Sequence, residues 1–136
     1  MTPVFQTDRT ATSGNCLQAS LASVLEVPIE TVPHFSRDES DETFYDAVRC
    51  WLIREHGLTF MCFPDSFWSE HQPVYHLISG KTPCGTEHVV VARDGAVVHD
   101  PAGHPPERVK ALLAERTYWF FIAVDPSRSK SERTGL

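Results

Sequence analysis

No stretch of this chain approaches the roughly 20 consecutive apolar residues that a membrane-spanning helix needs. The first ten residues, MTPVFQTDRT, hold no apolar run of export-signal length. The expectation is a cytoplasmic protein with no membrane partner. Its four cysteines, Cys16, Cys50, Cys62 and Cys84, form no CxxC pair, so a disulfide framework is not indicated. In a reducing compartment the expectation is one reactive thiol and three packing thiols. Internal repeats are missing, and so is any basic excess: 12 Lys and Arg stand against 18 Asp and Glu, for a net charge of −6. Arg128, Lys130 and Arg133 fall in the last ten positions, so the body is more acidic still. That balance argues against a broad phosphate-binding surface, and no nucleic-acid partner is expected.

What is present fits one globular domain. The chain has 136 residues, 41% apolar and 22% charged, and a chain of this size buries about two-thirds of its unfolded surface without a metal or disulfide staple. The expected domain runs over residues 1–126, with 127–136, SRSKSERTGL, as a disordered tail.

An extended segment leads to the loop Thr12-Ser13-Gly14-Asn15, and a helix is predicted from Cys16. Leu17, Leu21, Val24 and Leu25 fall on one apolar face, with Asn15 as N-cap and Pro28 as stop. PIETVPHF reads as a short turn. The charged run at 37–42 reads as a solvated loop entering a second helix, with Ser40 as N-cap, an apolar stripe at Phe44, Val48, Trp51 and Leu52, and Gly57 as its end. The period then changes. Leu58–Phe63, Val74–Ser79, His88–Ala92, Ala96–His99 and Thr117–Val124 read as strands, with a short helix inside Pro105–Glu115. Helices first and antiparallel strands after make an α+β fold class.

Cys16 carries the most chemistry. At the first turn of a helix the unpaired amides and the helix dipole favour a thiolate and leave N–H groups beside the sulfur for an oxyanion. His88 stands at the start of HVVVA, and Asp100 follows twelve residues later in HDP, at the end of the returning hairpin arm. Each residue has an ordinary alternative: a buried structural thiol, a strand-end histidine, a turn-starting aspartate before proline. Together they have the order a Cys-His-Asp triad needs, with Cys16 as nucleophile, His88 as base and Asp100 fixing the ring tautomer. Trp51, Trp68 and Trp119 are expected in the core, with a substrate groove as the alternative place for Trp68, in the loop PDSFWSEH. Asn15, beside the thiol, and Trp68 in that alternative are the candidate substrate contacts, and Gln18 is expected to be exposed. No cofactor is expected. The spacing Cys84-x3-His88, with His99 and His104 nearby, is too loose for a zinc site, so no metal is expected either.

Hairpin register decides whether His88 and Asp100 can meet, because a one-residue slip reverses a strand's faces. A two-residue Asp94-Gly95 turn with regular pairing sets Val89 opposite Asp100 and turns Asp100 away from His88. A three-residue loop, Arg93-Asp94-Gly95, with positive φ at Gly95, sets His88 opposite Asp100 and His99 on the other face. The three-residue loop is therefore the expectation.

The segments GNCLQASLASVLEVPIETVPHF and ISGKTPCGTEHVVVARDGAVVHDPAG resemble the cysteine-helix and His/Asp-Pro blocks of small papain-like proteins often encoded in phages and bacteria. The second block is also similar to that of bacteriocin-processing papain-like peptidases. The resemblance covers about residues 5–104 and departs at Cys84, where an arginine or other polar residue is expected. It implies a papain-like fold and a cysteine peptidase or isopeptidase, acting through a thioester on a protein or peptide partner. Amidase, deamidase or transglutaminase-like acyl transfer on the same triad, or a catalytically silent binding protein, are the competing implications. The resemblance also implies an oxyanion-hole glutamine ahead of the cysteine. Gln6, ten residues upstream, is the candidate.

Overall fold

The computed structural model of the chain describes residues 1–10, 14–35, 41–64 and 73–127. Among these residues three helices, α1 (Cys16–Leu25), α2 (Asp41–His56) and α3 (Pro106–Leu112), accompany five strands, β1 (Leu58–Phe63), β2 (Tyr75–Lys81), β3 (Glu87–Arg93), β4 (Ala96–His99) and β5 (Ala114–Ala123). A 3-10 turn spans Ile29–Thr31. The strands form one antiparallel sheet in the order β1-β5-β2-β3-β4. The architecture is α+β. The chain groups into two compact units, one of Met1–His34 with Cys62–Trp119, the other of Phe35–Met61 with the strand end from Phe120.

In the second unit, Phe44, Val48, Trp51 and Leu52 are all buried, as the α2 stripe predicts. Gly57, at φ 61°, ends the helix with its N–H on the Ile53 carbonyl, the left-handed stop for which glycine has no Cβ penalty.

The first unit is built on α1 and β3. Helix α1 buries Ala19, Ser20, Leu21, Ala22, Ser23 and Leu25. Leu17 and Val24, expected on the buried face, are only half-buried. The reason is that small residues fill the contact and let the backbones approach. The Ser20 hydroxyl donates to the Val89 carbonyl of β3 at 3.2 Å, and Ser23 Oγ donates to the Ala19 carbonyl at 2.8 Å while accepting from the Val4 N–H at 2.9 Å. The helix stops at Glu26, left-handed at φ 57°, two residues before the expected stop at Pro28. Strand β3 is covered on both faces: Val89, Val90, Val91 and Ala92 are all buried, which explains a continuous valine run in place of alternation.

The β3–β4 hairpin differs from the expected loop. Asp94 (φ 52°) and Gly95 (φ 82°) are both left-handed, and Arg93 pairs with Ala96. This is the two-residue turn, not the three-residue one, because an Asp-Gly pair accepts positive φ at both central positions. The register is recovered one step later. Ala92 pairs with Val97 and Val91 with His99, so Val98 has no partner and forms a bulge. The next residue, Asp100, therefore falls on the face of Val90 and His88. His99 points to the other face, buried, donating from Nε2 to the Val4 carbonyl at 2.7 Å. Lys110 of α3 holds the turn from outside through the Gly95 carbonyl, at 2.7 Å.

Ser40, the proposed cap of α2, the loop residues Thr12 and Ser13, Trp68 and the tail beyond Ser127 lie outside the described residues.

Candidate active site

The site belongs wholly to the first unit. Asp100 opens a turn whose sequence, Asp-Pro-Ala-Gly, places each residue where a β-turn wants it. The Gly103 N–H reaches the Asp100 carbonyl at 2.9 Å, with Gly103 at φ 88°. The carboxylate accepts the Ala102 N–H at 2.8 Å on the same Oδ1 that meets His88 Nε2 at 2.7 Å. The turn-starting reading of Asp100 and its pairing with His88 thus hold together: the turn aims the carboxylate. Its side chain is fully buried, and that of His88 is 13% exposed.

With Nε2–H donated to Asp100, His88 has Nδ1 left uncommitted to that bond, and the Cys16 thiol lies near enough to act on the ring's proton affinity. Burial disfavours charge on His88. The hydrogen bonds to Asp100 and Cys16 and the charges of both outweigh that cost, and the ring is raised from 6.5 to about 9. Burial likewise disfavours the Asp100 anion, but the His88 and Ala102 hydrogen bonds prevail and hold its carboxyl below the ordinary value. Two groups pushed toward their charged forms, beside a half-buried thiol at a helix start, can stabilise a thiolate–imidazolium pair.

The N-terminal segment ties α1 to the Asp100 turn. The Gln6 N–H bonds the Pro101 carbonyl at 2.9 Å, and the Thr2 N–H bonds the Ser23 carbonyl of α1 at 3.0 Å. Phe5 stacks edge-on against His99, with ring centroids 5.0 Å apart. The Gln6 side chain comes close to Gly14, two residues before the thiol: a Cβ on Gly14 would stand 3.6 Å from Gln6 Nε2. That nitrogen donates to the Asp8 carbonyl at 2.9 Å, which fixes the amide group and leaves its second N–H uncommitted to that bond. The same hypothetical Cβ would stand 2.6 Å from the Thr10 carbonyl oxygen, so Gly14 is required by close backbone approach.

Asn15 sits at the N-cap position of α1, yet its side chain caps nothing. It is 4% exposed. Its Oδ1 accepts the Thr7 and Asp8 N–H groups at 3.2 and 3.0 Å, and Nδ2 donates to Thr7 Oγ1 and Gln18 Oε1 at 2.8 and 3.2 Å. An amide so engaged serves as a tether for the N-terminal segment. Gln18, expected to be exposed, is half-buried and donates to the Ile29 and Val32 carbonyls at 3.1 and 2.7 Å. The three cysteines expected to pack, Cys50, Cys62 and Cys84, are all exposed; only Cys16 is partly covered. Cys84 lies in the hairpin loop between β2 and β3, closed by the Gly85 N–H on the Thr82 carbonyl.

Three residues at the site carried no sequence signal of their own. His104, four residues after Asp100, donates from Nδ1 to Asp100 Oδ2 at 3.0 Å. His34 reaches the Gly14 carbonyl from Nε2 at 3.2 Å. The Arg9 guanidinium lies over Gly103, 3.5 Å from where its Cβ would stand. The DPAG turn, which returns the chain after Asp100, was the available signal for His104. Among the described residues no group of three or more His, Cys, Asp or Glu side chains could hold a metal ion, and no helix is long and apolar enough to cross a membrane. No protein-family profile, curated protein or solved structure matches this chain.

Proposed function

We propose that this chain is a papain-like cysteine hydrolase that cleaves a peptide or isopeptide bond in a protein substrate. The observation that carries the reading is the His88 ring, bound through Nε2 to the buried Asp100 carboxylate and engaged with the Cys16 thiol at the start of α1. The Cys16 sulfur attacks the acyl carbon, and the carbonyl oxygen gains the negative charge. The Gln6 amide and the backbone N–H groups at the head of α1 are the donors assigned to receive it. His88 passes its proton to the leaving amine as the thioester forms. Water then attacks the thioester, giving its proton to His88, and releases the acid and the Cys16 thiol.

The test is acyl-enzyme trapping with an activated ester, quenched rapidly and read by peptide mass spectrometry. Acyl mass on Cys16 in the wild type, absent in Cys16→Ala and retained on a slower time scale in Asp100→Asn, is the expected result. Acylation spread over Cys50, Cys62 and Cys84 with none at Cys16 would exclude the reading.

A further inference from the structure

The Asp100 carboxylate holds two imidazoles, and the triad accounts for only one. Oδ1 takes the His88 Nε2–H at 2.7 Å, and Oδ2 takes the His104 Nδ1–H at 3.0 Å. The Asp100 side chain is fully buried, whereas that of His104 is 70% exposed. A solvent-facing ring thus reaches a carboxylate that solvent does not.

We propose that His104 is a positioning residue for the triad: it orients the Asp100 carboxylate toward His88 and, on taking up a proton, weakens the charge-separated Cys16–His88 pair. The inference rests on the catalytic reading above. A carboxylate offers only acceptors, so each ring must present an N–H to it. With Nδ1–H committed to Asp100, His104 has Nε2 free to gain or lose a proton at the surface. Neutral His104 is a donor that fixes the second oxygen, and hence the plane, of the carboxylate. Protonated His104 adds a positive charge that competes with His88 for Asp100 and disfavours the imidazolium. The other titratable or charged groups placed around it are His88 and Cys16 on the triad side and the Arg9 guanidinium over Gly103, with Glu107 and Arg108 following in α3. Of the groups reaching the carboxylate itself, only His104 faces solvent.

The experiment measures iodoacetamide alkylation of Cys16, peptide by peptide, from pH 5 to 8.5 in wild type, His104→Asn and His104→Ala. Asparagine keeps a neutral donor near the position of Nδ1 and cannot take a proton. The wild-type rate is expected to fall by about three- to tenfold more than the His104→Asn rate as pH drops through the imidazole range. His104→Asn keeps the high-pH rate, and His104→Ala lowers it severalfold. If alanine prevents folding, the asparagine profile carries the test. Superimposable profiles, with Cys16 still the fastest-labelled thiol, would overturn the role of His104 and leave the triad standing. Cys16 labelling no faster than Cys50, Cys62 and Cys84 in the wild type would overturn both.

Discussion

The Asp100 carboxylate reaches His88 Nε2 at 2.7 Å because Val98 is left unpaired between them in the chain. An Asp-Gly turn followed by an unbroken ladder aims Asp100 at the opposite face. The bulge adds the one residue that brings it back, and the Asp-Pro-Ala-Gly turn then sets the carboxylate's angle.

Deleting Val98 therefore tests the register directly. In the shortened arm Val97 still meets Ala92 and His99 still meets Val91, now in an unbroken ladder, so Asp100 keeps the His88 face. In folded protein, verified by circular dichroism, Cys16 acylation is expected to stay close to the wild-type rate. A fall of about 100-fold or more, the scale seen when a triad acid is misplaced, would show that the bulge does more than restore the register.

Stability should depend on pH through His88. Its folded value is raised from 6.5 to about 9. Below 6.5 both folded and unfolded chains hold the proton and the stabilisation is complete. Between 6.5 and about 9 the unfolded chain has lost its proton while the folded chain keeps it, so this contribution declines as pH rises and is gone above about 9. Melting temperature is expected to fall across that window in the wild type and to fall less in Asp100→Asn. Equal slopes would mean that Asp100 does not hold the His88 proton.

Asn15→Ala should destabilise more than the loss of an ordinary N-cap, although Asn15 occupies that position. It strips the Thr7 and Asp8 N–H groups of their acceptor and releases Gln18. A cost of about 2–3 kcal/mol in chemical denaturation is expected for several part-buried groups left unpaired. A loss under about 0.5 kcal/mol would place the anchor of the N-terminal segment elsewhere.

Gly14→Ala should cost about 1–3 kcal/mol through overpacking, because its Cβ would stand 2.6 Å from the Thr10 carbonyl oxygen. Since the displaced loop carries both the Gln6 contact and the approach to Cys16, acylation should fall together with melting temperature. A fully stable and active alanine variant would contradict the close approach.

The sequence carried the elements and the site order well, and carried local geometry poorly. The α2 stripe from Phe44 to Leu52 and the valine-rich strands are periodic signals, and they correspond to buried faces. Cys16, His88 and Asp100 were legible because a thiol at a helix start and a His/Asp pair on one hairpin each have a chemical reason. The Val98 bulge was not legible: a valine in a valine run carries no mark of being unpaired, and the alternative loop would have aligned the same two residues. Gln18 was misplaced, and the bonds of the Asn15 side chain were not legible, because side-chain amides take their partners from segments distant in sequence, such as Thr7 and Val32. The exposure of Cys50, Cys62 and Cys84 escaped because cysteine's usual preference for burial is a weak guide at any one position.

That exposure sharpens the measurement on which the account turns. By accessibility alone Cys16, the one partly covered thiol, should label last among the four. Peptide-resolved iodoacetamide labelling of the native protein near pH 6.5 separates accessibility from activation. Cys16 is predicted to react first, by about tenfold or more over Cys50, Cys62 and Cys84, because a neighbouring imidazole and the head of α1 activate it as a nucleophile. Labelling in the order of exposure, with Cys16 slowest, would contradict it.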